Sequence, residues 1–135
     1  MRTFFVSLLG IVLATTASAA VDFASDEQAV RKVVADFGDD WNKHDPNAIL
    51  ALFTDDADWV NVAGNLWHGQ AEHRRGTTWV HEHVFKNAHG HIGPVVVRFP
   101  TQDTAVAIFT HDVESFVLPE GAEIPEETIG CRSFW

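Results

Sequence analysis

The sequence predicts an α+β domain, with three helices from its N-terminal half packed on a curved antiparallel sheet built from the strands that follow. Three observations lead there. Apolar residues at Val30, Val33, Val34, Phe37 and Trp41 recur with helical spacing. The pair Gly64-Asn65 stands between two short apolar runs and marks a hairpin, because both residues tolerate the positive φ of tight turns. From Thr104 to Leu118 the side chains alternate as in a long strand.

The chain has 135 residues, enough for one domain. It opens with Met1-Arg2-Thr3, an apolar run from Phe4 to Ala14, and small residues ending in Ala17-Ser18-Ala19. That is the layout of a cleavable secretory signal, with an apolar run too short for a permanent membrane span. The reading is a signal peptide over residues 1–19, a domain over 20–135, and a secreted or periplasmic product with no stable membrane association after cleavage. Asp and Glu number 19 against 9 Lys and Arg, giving a net charge of −10. Such a surface repels phosphate backbones, so nucleic acid is not an expected partner. Cys131 stands alone, so no intramolecular disulfide can form and a hydrophobic core must carry the stability.

The first helix is expected to start at Ser25, with Gln28 completing a capping box. His44-Asp45-Pro46 ends it and begins a second, short helix, with Asp45 as N-cap and Pro46 in the first turn. That helix buries Ile49, Leu50 and Phe53. The acidic stretch Asp55-Asp56-Ala57-Asp58 feeds the hairpin, whose strands hold Trp59 to Val62 and Leu66 to His68. A third helix is read over 70–86, and His73, Thr77 and His81 fall on one stripe of it. A strand begins at His91, turns at Pro100 to Asp103, and returns with Phe109, His111 and Val113 on a common side. Residues 119–127 read as an acidic loop, and 129–135 as the beginning of another strand.

Specific residues add to this order. Ala35-Asp36-Phe37, Trp41-Asn42-Lys43-His44-Asp45, Leu52-Phe53-Thr54-Asp55-Asp56-Ala57-Asp58, Asn61-Val62-Ala63-Gly64 and Trp67-His68-Gly69 resemble stretches of the nuclear transport factor 2-like superfamily. The likeness is to its SnoaL-like and SgcJ/EcaC members and covers roughly residues 25 to 131. It implies a cystatin-like cone fold, a pocket for a small and largely apolar molecule, no cofactor, and a homodimer formed through the sheet. It also implies two further strands after the position matching Ser133. The chain departs from that pattern, which points to a shortened frame or to a sheet completed by a partner. The superfamily hosts isomerases, cyclases, dehydratases and pure binding modules, so the resemblance alone selects no reaction.

Candidate site residues follow. Asp58 begins a strand beside aromatics, where desolvation suits a carboxylate to proton transfer; Asp55 and Asp56 read better as turn residues. His81 is the preferred acid–base group, since an imidazole both gives and takes a proton near neutral pH. The competing reading is a half-buried histidine that braces the helix. Trp41, Trp59 and Trp67 could stack on a ligand, with Asn61 and His68 as the placed polar groups, although such aromatics also serve as core. No metal is expected. His81 and His83 point about 200° apart on a helix, and a three-histidine site from His68, His81 and His111 is not something spacing can test. Two functions lead, an enzyme moving a proton with Asp58 or His81 and a non-catalytic binding or association module, with a periplasmic metal-binding protein as a weaker third.

Overall fold

The computed structural model describes residues 23–118, Glu120 and 132–134. The segment read as a secretory signal, most of the acidic loop and Cys131 lie outside the described residues. Within them the order is α1 (Phe23–Asn42), α2 (Pro46–Leu50), β1 (Asp58–Val60), β2 (Leu66–His68), α3 (Gly69–His83), β3 (His89–Ile92), β4 (Val96–Arg98), β5 (Val106–Glu114) and β6 (Arg132–Phe134). Helices precede the main antiparallel sheet, and that sheet is open. The fold class is the expected one.

Helix α1 buries a stripe through Val34, Gly38 and Trp41. Val33, expected on that face, lies about 100° round the helix from Val34 and is 47% exposed. Gly38 allows α1 close to β3: a Cβ there would lie 2.7 Å from Ile92 Cγ1. A second tie is polar. The Asn42 amide donates to the Gly90 carbonyl and accepts from the Gly90 N–H, at 2.9 and 2.7 Å.

The chain leaves α1 through His44, which adopts a left-handed φ of 52° and donates its N–H to the Trp41 carbonyl at 3.0 Å. Histidine rarely takes that conformation, which usually falls to Gly or Asn at a helix end. Asp45 then caps α2 as read, its carboxylate accepting from the Asn47 and Ala48 N–H groups at 2.9 and 3.2 Å. Ile49 and Leu50 vanish into the interior.

The hairpin pairs Asp58 with His68, Trp59 with Trp67 and Val60 with Leu66. Its inner face carries the two tryptophans, while Val60 and Leu66 are exposed. Asn61 belongs to the turn, because its Oδ1 accepts from Ala63 and Asn65 at 3.0 and 2.9 Å. Gly64 supplies the positive φ, 79°. The acidic segment anchors the next element through backbone: the Gly69 N–H donates to Ala57 and the Gln70 N–H to Asp55.

In the main sheet, β3 and β4 lie along one edge of β5. His89 to Ile92 face Glu114 to His111, and Val96 to Arg98 face Ile108 to Val106. The two registers differ by one residue, so 93–95 contains a bulge that bends the sheet. Strand β6 pairs with β5 at 108–110 from the other edge. Helix α1 packs directly on β3, β4 and β5, whereas α3 packs on α2 and the hairpin. Trp41, Ile49 and Ala88 form the core, joined by Phe37, Phe53, Phe85 and Val113.

Gly90 is the tightest point of that core. A Cβ on it would meet His111 Nε2 at 2.1 Å and a Trp41 ring carbon at 3.0 Å. Gly90→Ala is therefore expected to cost about 1–3 kcal/mol by overpacking, read as a lower thermal midpoint.

Candidate functional site

Helix α3 turns an unusual face inward. His73, Thr77 and His81 follow one another at intervals of one turn and are 1%, 5% and 5% exposed. Apolar side chains would fill such a stripe in most helices. Here aromatic neighbours take the imidazoles instead. His73 stacks on Trp59 with centroids 5.0 Å apart and meets the Phe53 ring edge-on at 4.7 Å. His81 meets Trp41 edge-on at 5.2 Å, and Trp41 meets His111 of β5 in the same way at 4.8 Å.

His81 has one polar partner that decides its chemistry. Its Nδ1 lies 3.1 Å from Nδ1 of His44. The left-handed backbone at His44 turns the chain sharply between α1 and α2, and its ring packs against both Trp41 and His81. Burial, then the nearby His44 and His111, push the His81 pKa from 6.5 down to about 4. His73 and His111 are also lowered, in both cases chiefly by burial. Near neutral pH, His81 therefore carries no charge. At the contact between the two Nδ1 atoms one ring donates and the other accepts; where the uncharged His81 donates its Nε2 is bare, and where it accepts its Nε2 carries the proton.

Both rings border a cleft of about 600 Å³ between the start of α2 and the outer side of α3. Pro46 and Asn47 form one wall; Arg74, Thr78, Glu82 and Lys86 continue the other. Arg74 Nη1 donates to Asn47 Oδ1. The cleft can present two imidazoles in contact, the cations Arg74 and Lys86, the carboxylate of Glu82, and hydroxyl and amide donors to one small molecule.

The candidate residues do not gather in one place. His81 lines the cleft. Trp41 lies beneath it as core, 6% exposed. Trp59 and Trp67 face the interior side of the hairpin, around His73. Asn61 closes the hairpin turn. Asp58 and His68 meet each other as a cross-strand ion pair on the exposed face, with side chains 59% and 74% exposed. That pairing raises the His68 pKa, first through the hydrogen bond and then through the charge of Asp58. Among the described residues, no group of three or more His, Cys, Asp or Glu is gathered to hold a metal ion. His44, Asn47, Arg74 and Thr78 were not singled out from sequence. The signals for His44 were its place before Asp45-Pro46 and its inclusion in the stretch Trp41-Asn42-Lys43-His44-Asp45.

Residues 34–131 match the model of the SnoaL-like domain. The chain belongs to the SnoaL-like domain family. No curated protein matches it. Among solved structures, this SnoaL-like chain resembles an uncharacterised protein with a cystatin-like fold from Caulobacter vibrioides, at TM-score 0.67 and 24% identity over 72% of this chain and 68% of that one. A domain of unknown function with a cystatin-like fold from Nostoc punctiforme gives TM-score 0.61 and 24% identity over 75% and 60%. A proposed scytalone dehydratase from Novosphingobium aromaticivorans gives 0.59 and 12% over 67% and 60%. The chain thus spans between 60% and 68% of the length of these three structures. At such identities the likeness is one of fold.

Two expectations arise from the histidines. Unfolding frees His81 to bind a proton that the fold excludes between about pH 6.5 and 4. Stability is therefore full above 6.5 and falls as the pH drops toward 4, by on the order of 3 kcal/mol from this group. Denaturant unfolding across that range should show the fall, and His81→Gln should remove about one proton from its slope. The outer pair behaves oppositely: Asp58→Asn should bring the His68 titration, followed by NMR, down toward its ordinary value.

Proposed function

We propose that this SnoaL-like domain binds a small organic molecule in the cleft at His81 and moves a proton on it, in the manner of an isomerase. The observation that carries this is the 3.1 Å contact between His44 and His81 at the wall of the cleft. One imidazole with a bare Nε2 takes a proton from the ligand. The proton shared between the two Nδ1 atoms shifts across, and the other ring returns its Nε2 proton to a second position on the ligand. The count balances, and the pair ends with its tautomers exchanged. An uncharged His81 suits this because it need not first lose a proton, and positioned general acid–base groups contribute about 10²–10⁴-fold. Trp41 holds both rings in place and excludes water behind them.

The proposed scytalone dehydratase among the structural relatives is consistent with chemistry of this class. Export, with residues 1–19 removed, and pairing through the sheet remain part of the proposal, resting on the signal layout and on the family likeness. Asp58 holds His68 on the outer face and takes no part in the reaction proposed here.

The test is deuterium uptake. In heavy water, a panel of small cyclic enones is followed by NMR with and without the protein. Catalysed exchange at the position next to the carbonyl is expected, with His81→Gln and His44→Gln each reducing it at least about 100-fold. Exchange that survives either change would overturn the relay. A molecule that binds at the cleft without any exchange would leave a binding module as the function.

A further inference from the structure

The cleft is asymmetric along α3, and its Arg74 end is built for an anion. We propose that the molecule bound there carries a single carboxylate, held by Arg74, Asn47 and Thr78, with its reacting part lying toward His81. This rests on the reading of the cleft as a ligand site and specifies the class of ligand.

Arg31, Lys32, Lys43 and Arg75 each pair with a carboxylate of this acidic chain. Arg74 pairs with none among the described residues, although acids outnumber basic residues about two to one. Its guanidinium is held by a neutral acceptor, Asn47 Oδ1 on the facing wall. That bond positions the planar group while leaving its charge and its other N–H donors free. It also commits the Asn47 amide oxygen to Arg74 and leaves the Asn47 NH₂ as a donor. Thr78, one turn on from Arg74, adds a hydroxyl to the same cleft. Three donor groups and one uncompensated positive charge therefore border one end. A planar guanidinium fork matches a carboxylate well.

The other side chains set the charge and length. Glu82 and, four residues on, Lys86 border the same wall beyond Thr78 and offset each other, so the charge that Arg74 leaves uncompensated is a single one. Arg74 and His81 are seven residues apart, roughly 10 Å along the helix. A carboxylate at Arg74 thus places carbon atoms one to two bond lengths beyond a six-membered ring within reach of the imidazoles. The match is to a small unsaturated or aromatic acid.

The probe is trans-cinnamate, with cinnamyl alcohol as its neutral counterpart and inorganic phosphate as the alternative anion. Each is titrated into the ¹⁵N-labelled full chain while the His81 ring and Arg74 side-chain signals are followed. Cinnamate is expected to move both and to bind at least about tenfold more tightly than the alcohol, as a charge-assisted contact requires. Arg74→Gln should erase that advantage, and Arg75→Gln, a neighbour engaged with Glu72 at 3.9 Å, should preserve it. Equal binding of acid and alcohol, or an advantage that survives Arg74→Gln, would overturn carboxylate recognition. So would phosphate binding as tightly as cinnamate. If the alcohol still moves His81 in those cases, the ligand site itself stands; if neither compound moves it, both readings fall.

Discussion

Trp41 is the constraint on which the rest of the structure depends. It leaves α1 at the last turn and touches His44 at the corner, His81 and Phe85 from α3, and His111 from β5. Three segments that are distant in sequence, the end of α1 with its corner, α3 and β5, meet on one indole. The backbone has been arranged to permit this, since Gly90 has no Cβ where Trp41 and His111 need the space. The Asn42 amide locks the adjacent residue to that same glycine. With a single cysteine in the chain, packing of this kind has to hold the helices on the sheet.

The partners that Trp41 gathers are mostly imidazoles. A neutral imidazole packs against an aromatic ring much as another ring would, provided it remains uncharged. Burial enforces that condition, and it is what pushes His81, His73 and His111 below their ordinary values. The cost is real. His73 Nδ1 and His111 Nε2 are buried and have no hydrogen-bond partner among the described residues. An apolar residue at either place would avoid that penalty. His81 differs from them because its buried nitrogen is satisfied by His44 while its ring still borders open space. Packing and reactivity coincide at that one position.

The fold was largely legible because its signals are local. Helical spacing, the Asp45-Pro46 start, the Gly64-Asn65 turn and the alternation through Phe109, His111 and Val113 each specify backbone within a few residues. The stripe His73, Thr77, His81 was legible for the same reason. The site was not, because it depends on the angle between α1 and α3. Whether His44 reaches His81, 37 residues away, follows from a left-handed residue and from Trp41, neither of which has a spacing to read. Asp58 and His68 illustrate the converse. Each is a credible catalytic group alone, but the hairpin register places them directly opposite each other and facing outward. Asn61 likewise spends its oxygen on the turn.

The two histidine pairs also show why solvent access separates structure from chemistry in this chain. His68 beside Asp58 is held by a charge, in water, where its proton is tightly kept and its geometry loosely fixed. His81 beside His44 is held by rings at the wall of the cleft, where burial keeps His81 uncharged and a proton lies between the two Nδ1 atoms. General acid–base work needs a group whose position is fixed and whose proton is free to move. The hairpin pair offers neither, whatever its resemblance to a dyad in sequence. The proposal assigns both to the pair above Trp41, at the edge of a cleft whose far end carries Arg74, which pairs with no carboxylate among the described residues. In the proposed function, proton movement and ligand anchoring are separated along α3 by about two turns, a spacing that one small molecule can bridge.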